Sequence, residues 1–491
     1  KKEKADQLMN MAPPPPASVA MTSPSVAQPI VAPEPINTER YAELPENPVK
    51  QVADEPVSTF SIDVDTGSYA NVRRMLNNGQ MPPADAVRAE EFINYFDYDY
   101  PLPTDRSAPF SVTTELAAAP WDPNRRLLLV GLKGYELPAH HLPKSNLVFL
   151  LDVSGSMNDP SKLPLLKQSL TLLVEQLDGD DSVSIVVYAG AAGMVLPPTP
   201  GNERERIIAA LDALTAGGST NGGEGITLAY ALAREAYIEG GINRVILATD
   251  GDFNVGTTST DDLKTLVEAQ RDSGISLTTL GFGQGNYNDE LSEQLADIGN
   301  GNHSYIDTLA EARKVLVDAR TSTLFTIAKD VKIQIEFNPQ QVSEYRLIGY
   351  QNRRLANEDF DNDAKDAGEI GAGHEVTALY ELNLTPAENA KSSKTDFGDA
   401  LALLKLRFKQ PDADKSQLLQ FPVRAAQASS DSERLRFAAA VAAFAELLRG
   451  TELAEGFDYA DVSDLASAAR GADPFGYRRE FLELVQKAAQ M

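Results

Sequence analysis

The stretch from Asn146 to Met157 reads Asn-Leu-Val-Phe-Leu-Leu-Asp-Val-Ser-Gly-Ser-Met, an apolar run ending in one carboxylate and two hydroxyls, Asp152, Ser154 and Ser156, at alternate positions. Oxygen ligands without sulfur or imidazole suit a hard divalent cation. Two further segments offer the same chemistry. Gly217-Gly-Ser-Thr220 carries a hydroxyl in a glycine-rich loop, and Val245-Ile-Leu-Ala-Thr-Asp250-Gly-Asp252 ends a second apolar run in a carboxylate. Mg²⁺ demands six ligands in near-octahedral geometry and dehydrates reluctantly, so a set rich in hydroxyls leaves at least one position to water. An acidic side chain of another protein can take that position, which makes the cation a bridge between partners.

The elements that must place these residues are legible as patterns. Continuous apolar runs at 147–151, 182–188, 244–248 and 275–281 alternate with helical periodicity at 161–177, 203–214, 225–238, 261–272 and 289–298. That alternation predicts a parallel sheet covered by helices on both faces. Ligands of such sheets bind at the carboxyl ends of the strands, where Asp152 and Asp250 fall. On either side the pattern changes. Segments 110–116 and 126–132 before the α/β part read as β-strands separated by a Pro-Trp-Asp-Pro turn, and 330–338, 375–382 and 401–408 after it alternate apolar and polar residues as antiparallel strands with one wet face do. The reading is a doubly wound, mostly parallel α/β domain inserted between β-rich flanks that pair into a β-sandwich.

The expected units are a Pro/Ala-rich tether at 1–56, a small helical region at 57–104 and sandwich strands at 105–144. The α/β domain follows at 145–321, then the rest of the sandwich at 322–425 and a helical end at 426–491, with the helix before the second β region expected to run to Ala328. Prolines 13–16, 24, 29, 33 and 35 spaced by small residues cannot bury enough surface to offset ordering, hence the tether.

Composition removes several classes of function. A net charge of −27 over 491 residues disfavours nucleic acid and anionic membrane surfaces. With no cysteine there are neither disulfides nor thiolate zinc sites. The four histidines, His140, His141, His303 and His374, show no metalloprotease spacing, and His303 is expected exposed in a turn. No apolar run reaches the ~18 residues of a membrane-spanning helix. The chain starts at Lys1 rather than Met, so its native start, with any leader, is expected upstream. Haloacid-dehalogenase-like phosphatases also put an Asp after the first strand, but need a second Asp two residues on, where this chain has Ser154. No Gly-x-Ser-x-Gly elbow and no Walker lysine occur either, so catalysis lacks a nucleophile, a base and a phosphate cradle. Asp63-x-Asp65-x-Gly67 reads as a helix-entry turn, Asp359-x-Asp361-x-Asp363 as a solvated acidic loop, and Gly281-Phe-Gly283-Gln-Gly285 as a loop at the ligand-facing edge of the sheet.

The order Asp-x-Ser-x-Ser, then Thr, then Thr-Asp-Gly resembles the metal-ion-dependent adhesion site (MIDAS) of von Willebrand factor type A domains. Asn47-Pro-Val-Lys, Pro56 to Arg74 and Glu91 to Tyr98 resemble the flanks of bacterial YfbK-like von Willebrand factor A proteins, and the similarity covers nearly everything after the tether. The resemblance implies a Mg²⁺ or Mn²⁺ site (Ca²⁺ being compatible) built from Asp152, Ser154, Ser156, Thr220 and Asp250, some of them acting through water. It implies a non-enzymatic adhesion or scaffold module whose protein partner offers an Asp or Glu carboxylate. Such proteins are commonly exported and lipid-anchored through an N-terminal cysteine. Periplasmic or envelope localisation is therefore expected, with an anchor that would have to precede Lys1. The alternative is a cytoplasmic co-chaperone-like partner of a MoxR-type AAA ATPase.

Overall fold

In the computed structural model, which describes residues 37–105, 108–138, 142–219, 222–251, 259–386, 397–425, 432–451, 453 and 456–491, the central apolar runs line up as one six-stranded sheet. Its order is His303–Ile306, Ser276–Phe282, Ile242–Thr249, Ser145–Asp152, Ser182–Tyr188, Ala192–Pro200, and only the last strand is antiparallel. Ser145–Asp152 and Ile242–Thr249 are buried at every position, as strands between two helical layers must be. Helices Leu163–Val174 and Arg204–Asp212 cover one face. Gly222–Glu235, Thr260–Asp272 and Asp289–Ile298 cover the other. Ala192–Pro200 was not expected as a strand. Its three prolines cannot donate to a ladder, and an edge is where a sheet tolerates them.

The flanks form the two antiparallel sheets of the expected sandwich. One runs Lys50–Gln51, Val342–Ile348, Glu375–Leu384, Asp122–Gly134, Phe110–Ala119, and the other Ile370–Gly371, Thr326–Phe337, Ala402–Lys409, Gln417–Val423, with Val57–Ser61 also on Thr326–Phe337. Each sheet mixes strands from before and after the α/β insertion. Phe60, Leu128, Val130, Ile333, Tyr380, Leu404 and Leu406 fill the space between them. The outer face of the first sheet, with Leu127, Leu129 and Leu379, packs on helix Glu433–Arg449 through a cluster including Phe92, Phe96, Phe437 and Phe444.

Three expectations are corrected. Residues 37–56 belong to the compact unit Asn37–Met491 rather than to a tether: Arg40 bridges Asn288, and Lys50–Gln51 pairs with Tyr345 and Glu344. The remaining tether, 1–36, lies outside the described residues. The helix expected to reach Ala328 ends at Leu324, and Thr326 starts a strand. His303 is fully buried instead of exposed, its ring between Thr279 Oγ1 at 2.8 Å and the Tyr287 hydroxyl at 2.6 Å.

A buried ionic network joins the parts. Arg88 pairs with Glu91, with Asp289 at 2.6 Å and with Glu293 at 3.3 Å; Arg353 reaches Asp63 at 3.2 Å, Glu293 at 3.2 Å and Asp297. The carboxylates of Asp63, Glu91 and Glu293 converge, but these two guanidinium groups and the backbone N–H groups of Asp65 and Ser68 already satisfy them. Glu90 stands apart. Its Oε2 accepts from Tyr350 N at 2.8 Å and its Oε1 has no partner among the described residues. Burial, reinforced by the charges of Asp63 and Glu91, pushes its carboxyl up to about 7. Below the ordinary carboxylate range both folded and unfolded states hold this proton, so it costs nothing there. Above about 7 the fold must contain a buried anion, a cost of about 3 kcal/mol. Glu90→Gln should therefore match the wild type in urea unfolding near pH 4.5 and exceed it by 2 kcal/mol or more, to order of magnitude, at pH 8. Parallel stability curves across that window would refute this.

Candidate metal centre

The turn after Ser145–Asp152 is built from its own side chains. Ser154 N donates to Asp152 Oδ1 at 2.8 Å, the Ser154 and Ser156 hydroxyls lie 2.9 Å apart, and Val153 N donates to Tyr188 O at 3.1 Å. The glycine-rich loop is pinned against this turn: Gly155 N donates to Gly218 O at 3.0 Å and Gly217 N to Val153 O at 2.8 Å. Gly218 sits at φ +87°, which an L side chain rarely adopts. Thr220, two residues on, lies outside the described residues. Asp250 directly follows the neighbouring parallel strand, where Gly251 N donates to Thr249 Oγ1 at 3.0 Å.

Gly251 has φ +101°, and a Cβ there would stand 2.1 Å from Asn288 N and 2.4 Å from Tyr287 Cα. These are backbone atoms that cannot swing aside. Gly251→Ala should cost at least about 3 kcal/mol, read from the urea midpoint, because it adds both a clash and a forbidden conformation. A wild-type midpoint would contradict that.

Asp152 and Asp250 are fully buried, yet Asp152 Oδ2 and Asp250 Oδ1 have no hydrogen-bond partner among the described residues. Burial raises the Asp152 carboxyl to about 7; the charge of Asp250 adds to this, while the Ser154 hydroxyl and N–H pull against it. Ser154 is buried and Ser156 exposed, so the cluster opens to solvent on the Ser156 side. Buried carboxylate oxygens without donors are rare in protein interiors and costly there. They suit a divalent cation, and the residues present fit one: two buried carboxyl groups, each with an oxygen lacking a donor among the described residues, beside a pair of hydroxyls at the carboxyl ends of adjacent strands. Four of the five residues singled out in the sequence are thus brought to one end of the sheet.

The sequence reading missed two residues. Lys162 Nζ lies 2.8 Å from Asp250 Oδ2 and 3.0 Å from Asn286 Oδ1. Only the turn Asn158-Asp-Pro-Ser-Lys162 precedes it, and no spacing marks it there. The loop holding Asn286 is in turn fastened by the start of the described chain. Thr38 N donates to Gly285 O at 2.8 Å, Arg40 N to Tyr287 O at 2.9 Å and Asp289 N to Arg40 O at 3.1 Å. Glu39 accepts from Gly285 N at 2.8 Å and pairs with Arg74 at 3.0 Å.

Comparison with known proteins agrees with the fold. The family model of the von Willebrand factor type A domain matches residues 146–319, that of the uncharacterized protein YfbK C-terminal region matches 322–491, and a further von Willebrand factor model matches 35–129. The uncharacterized protein YfbK of Escherichia coli (strain K12) is 48% identical over 467 residues, spanning 92% of this chain and 81% of that protein. Inter-alpha-trypsin inhibitor heavy chain H3 of Bos taurus is 26% identical over 291 residues, 54% of this chain and 31% of its own length. A solved von Willebrand factor type A structure from Catenulispora acidiphila aligns with a TM-score of 0.45 at 16% identity, covering 78% of this chain and 91% of that one. With near-full-length identity of this order and a sheet ending in Asp152, Ser154, Ser156 and Asp250, the chain belongs to the YfbK family of von Willebrand factor type A domain proteins.

Proposed function

We propose that this chain is a non-catalytic binding module that grips an acidic side chain of a protein partner through a divalent cation held by Asp152, Ser154, Ser156, Thr220 and Asp250. The observation supporting this most directly is the pair of buried carboxyl groups at the end of the sheet, each with an oxygen that has no hydrogen-bond donor among the described residues. When bound, Mg²⁺ or Mn²⁺ supplies an open coordination position that a partner carboxylate can fill. The chain's own residues prepare the place. The Ser154 N–H orients Asp152, the linked hydroxyls of Ser154 and Ser156 face the opening, and the Gly217–Gly218 loop is locked against them. Export and tethering to the bacterial envelope complete the proposal, motivated by the proline-rich residues ahead of Asn37.

The test is recovery of partners from the native envelope by the immobilised chain, with and without chelator. Asp250→Ala is expected to abolish the chelator-sensitive fraction and leave the rest. Equal recovery from both forms would end the proposal. Phosphate release from a broad ester panel, lost on Asp152→Ala, would replace it with a hydrolase.

A further inference from the structure

The ammonium of Lys162 occupies a place made for it. The side chain is buried, at 8% exposure, and ends between Asp250 Oδ2 at 2.8 Å and Asn286 Oδ1 at 3.0 Å. Its stem crosses Gly283, where a Cβ would lie 2.3 Å from Lys162 Cε, so a residue without a side chain keeps the channel open. A buried lysine is costly to desolvate, and pairing offsets that only with good geometry. Here its anionic partner is one of the two carboxylates of the candidate metal centre.

We infer that Lys162 is a resident counter-cation of this centre, a positioning residue that holds Asp250 when no metal is present and opposes the metal when it binds. The inference rests on the metal-site reading above. Without metal, Asp152 and Asp250 are two buried carboxyl groups at the ends of adjacent strands, and Lys162 is paired with one of them. With metal, two carboxylates, one ammonium and one divalent cation leave one net positive charge, where the carboxylates alone would leave a neutral site. That residual charge favours an incoming partner carboxylate, at the expense of metal affinity.

The experiment is calorimetric titration of the chelator-stripped full chain with Mn²⁺ alone, comparing wild type, Lys162→Met and Lys162→Gln. Both variants should bind Mn²⁺ on the order of tenfold tighter, since a like charge at the site has been removed. Both should melt lower than wild type in chelator and gain more from Mn²⁺. Should Lys162→Met fail to fold, the hydrogen-bonding amide of Lys162→Gln carries the comparison. Equal or weaker Mn²⁺ affinity in the folded variant, with wild type binding normally, overturns the role of Lys162 and leaves the metal site standing. Absence of Mn²⁺ binding by wild type overturns both.

Discussion

Replacing Arg88 by alanine is expected to lower the stability of the chain by at least about 4 kcal/mol, or to prevent its accumulation as a folded protein. The side chain is wholly buried and so are its partners, Glu91, Asp289 and Glu293, which come from two regions of the sequence. Removing one member of a buried ion pair costs about 3–5 kcal/mol because the other charge stays behind unpaired. Arg88 would leave two, Glu91 and Asp289, while Glu293 would keep only Arg353 as a cationic partner. Arg353 cannot compensate, since it is engaged with Asp63, Asp65, Glu293 and Asp297. Lysine is expected to rescue poorly: one ammonium cannot reproduce the fork by which Nε serves Glu91 while Nη1 serves Asp289. Urea unfolding measures the loss. Adding Asp289→Asn and Glu293→Gln to Arg88→Met should restore part of it, because the stranded charges go with the cation. An Arg88→Ala protein with the wild-type midpoint would show that this network holds nothing together.

Asp152→Asn should act in the opposite sense on stability while removing cation binding. In chelator the variant is expected to unfold at or above the wild-type temperature, because a buried carboxylate held up near 7 beside Asp250 is exchanged for a neutral amide. In millimolar Mg²⁺ the wild type should gain stability and the variant should not. A ligand present at about a hundred times its dissociation constant stabilises by about 2.7 kcal/mol, so the two melting curves should cross as metal is added. Cation affinity of the variant should fall at least a hundredfold, to order of magnitude, given the loss of a charged oxygen ligand. Curves for the two proteins that shift in parallel with Mg²⁺ would place the cation elsewhere.

The main outline of this molecule was legible from local pattern. The unbroken apolar run ahead of Asp152 marks a strand buried on both faces, and the helices Asp289–Ile298 and Thr260–Asp272 begin and end within a residue of their periodicity. Ala402–Lys409 alternates between core and partial exposure at every step, as its sequence does. What could not be read depends on distant contacts. His303 follows Gly-Asn-Gly-Asn, which looks like a solvated turn, but Tyr287 and Thr279 enclose it. Residues 37–56 look unstructured until Tyr345 and Asn288 offer partners far along the chain. Lys162 is one lysine among many until Gly283 and Asn286, more than a hundred residues on, make room for it and bind it. Asp152 and Asp250 were legible because strand ends announce themselves, whereas a counter-charge supplied by another loop does not.

The segment Asn37–Tyr41 runs alongside the loop that carries Asn286, joined to it by backbone hydrogen bonds on both sides of Arg40. The strip of backbone that fastens the Asn286 loop thus comes from the first described residues, so a change at Thr38 or Arg40 would reach Lys162, and through it Asp250, by way of that loop.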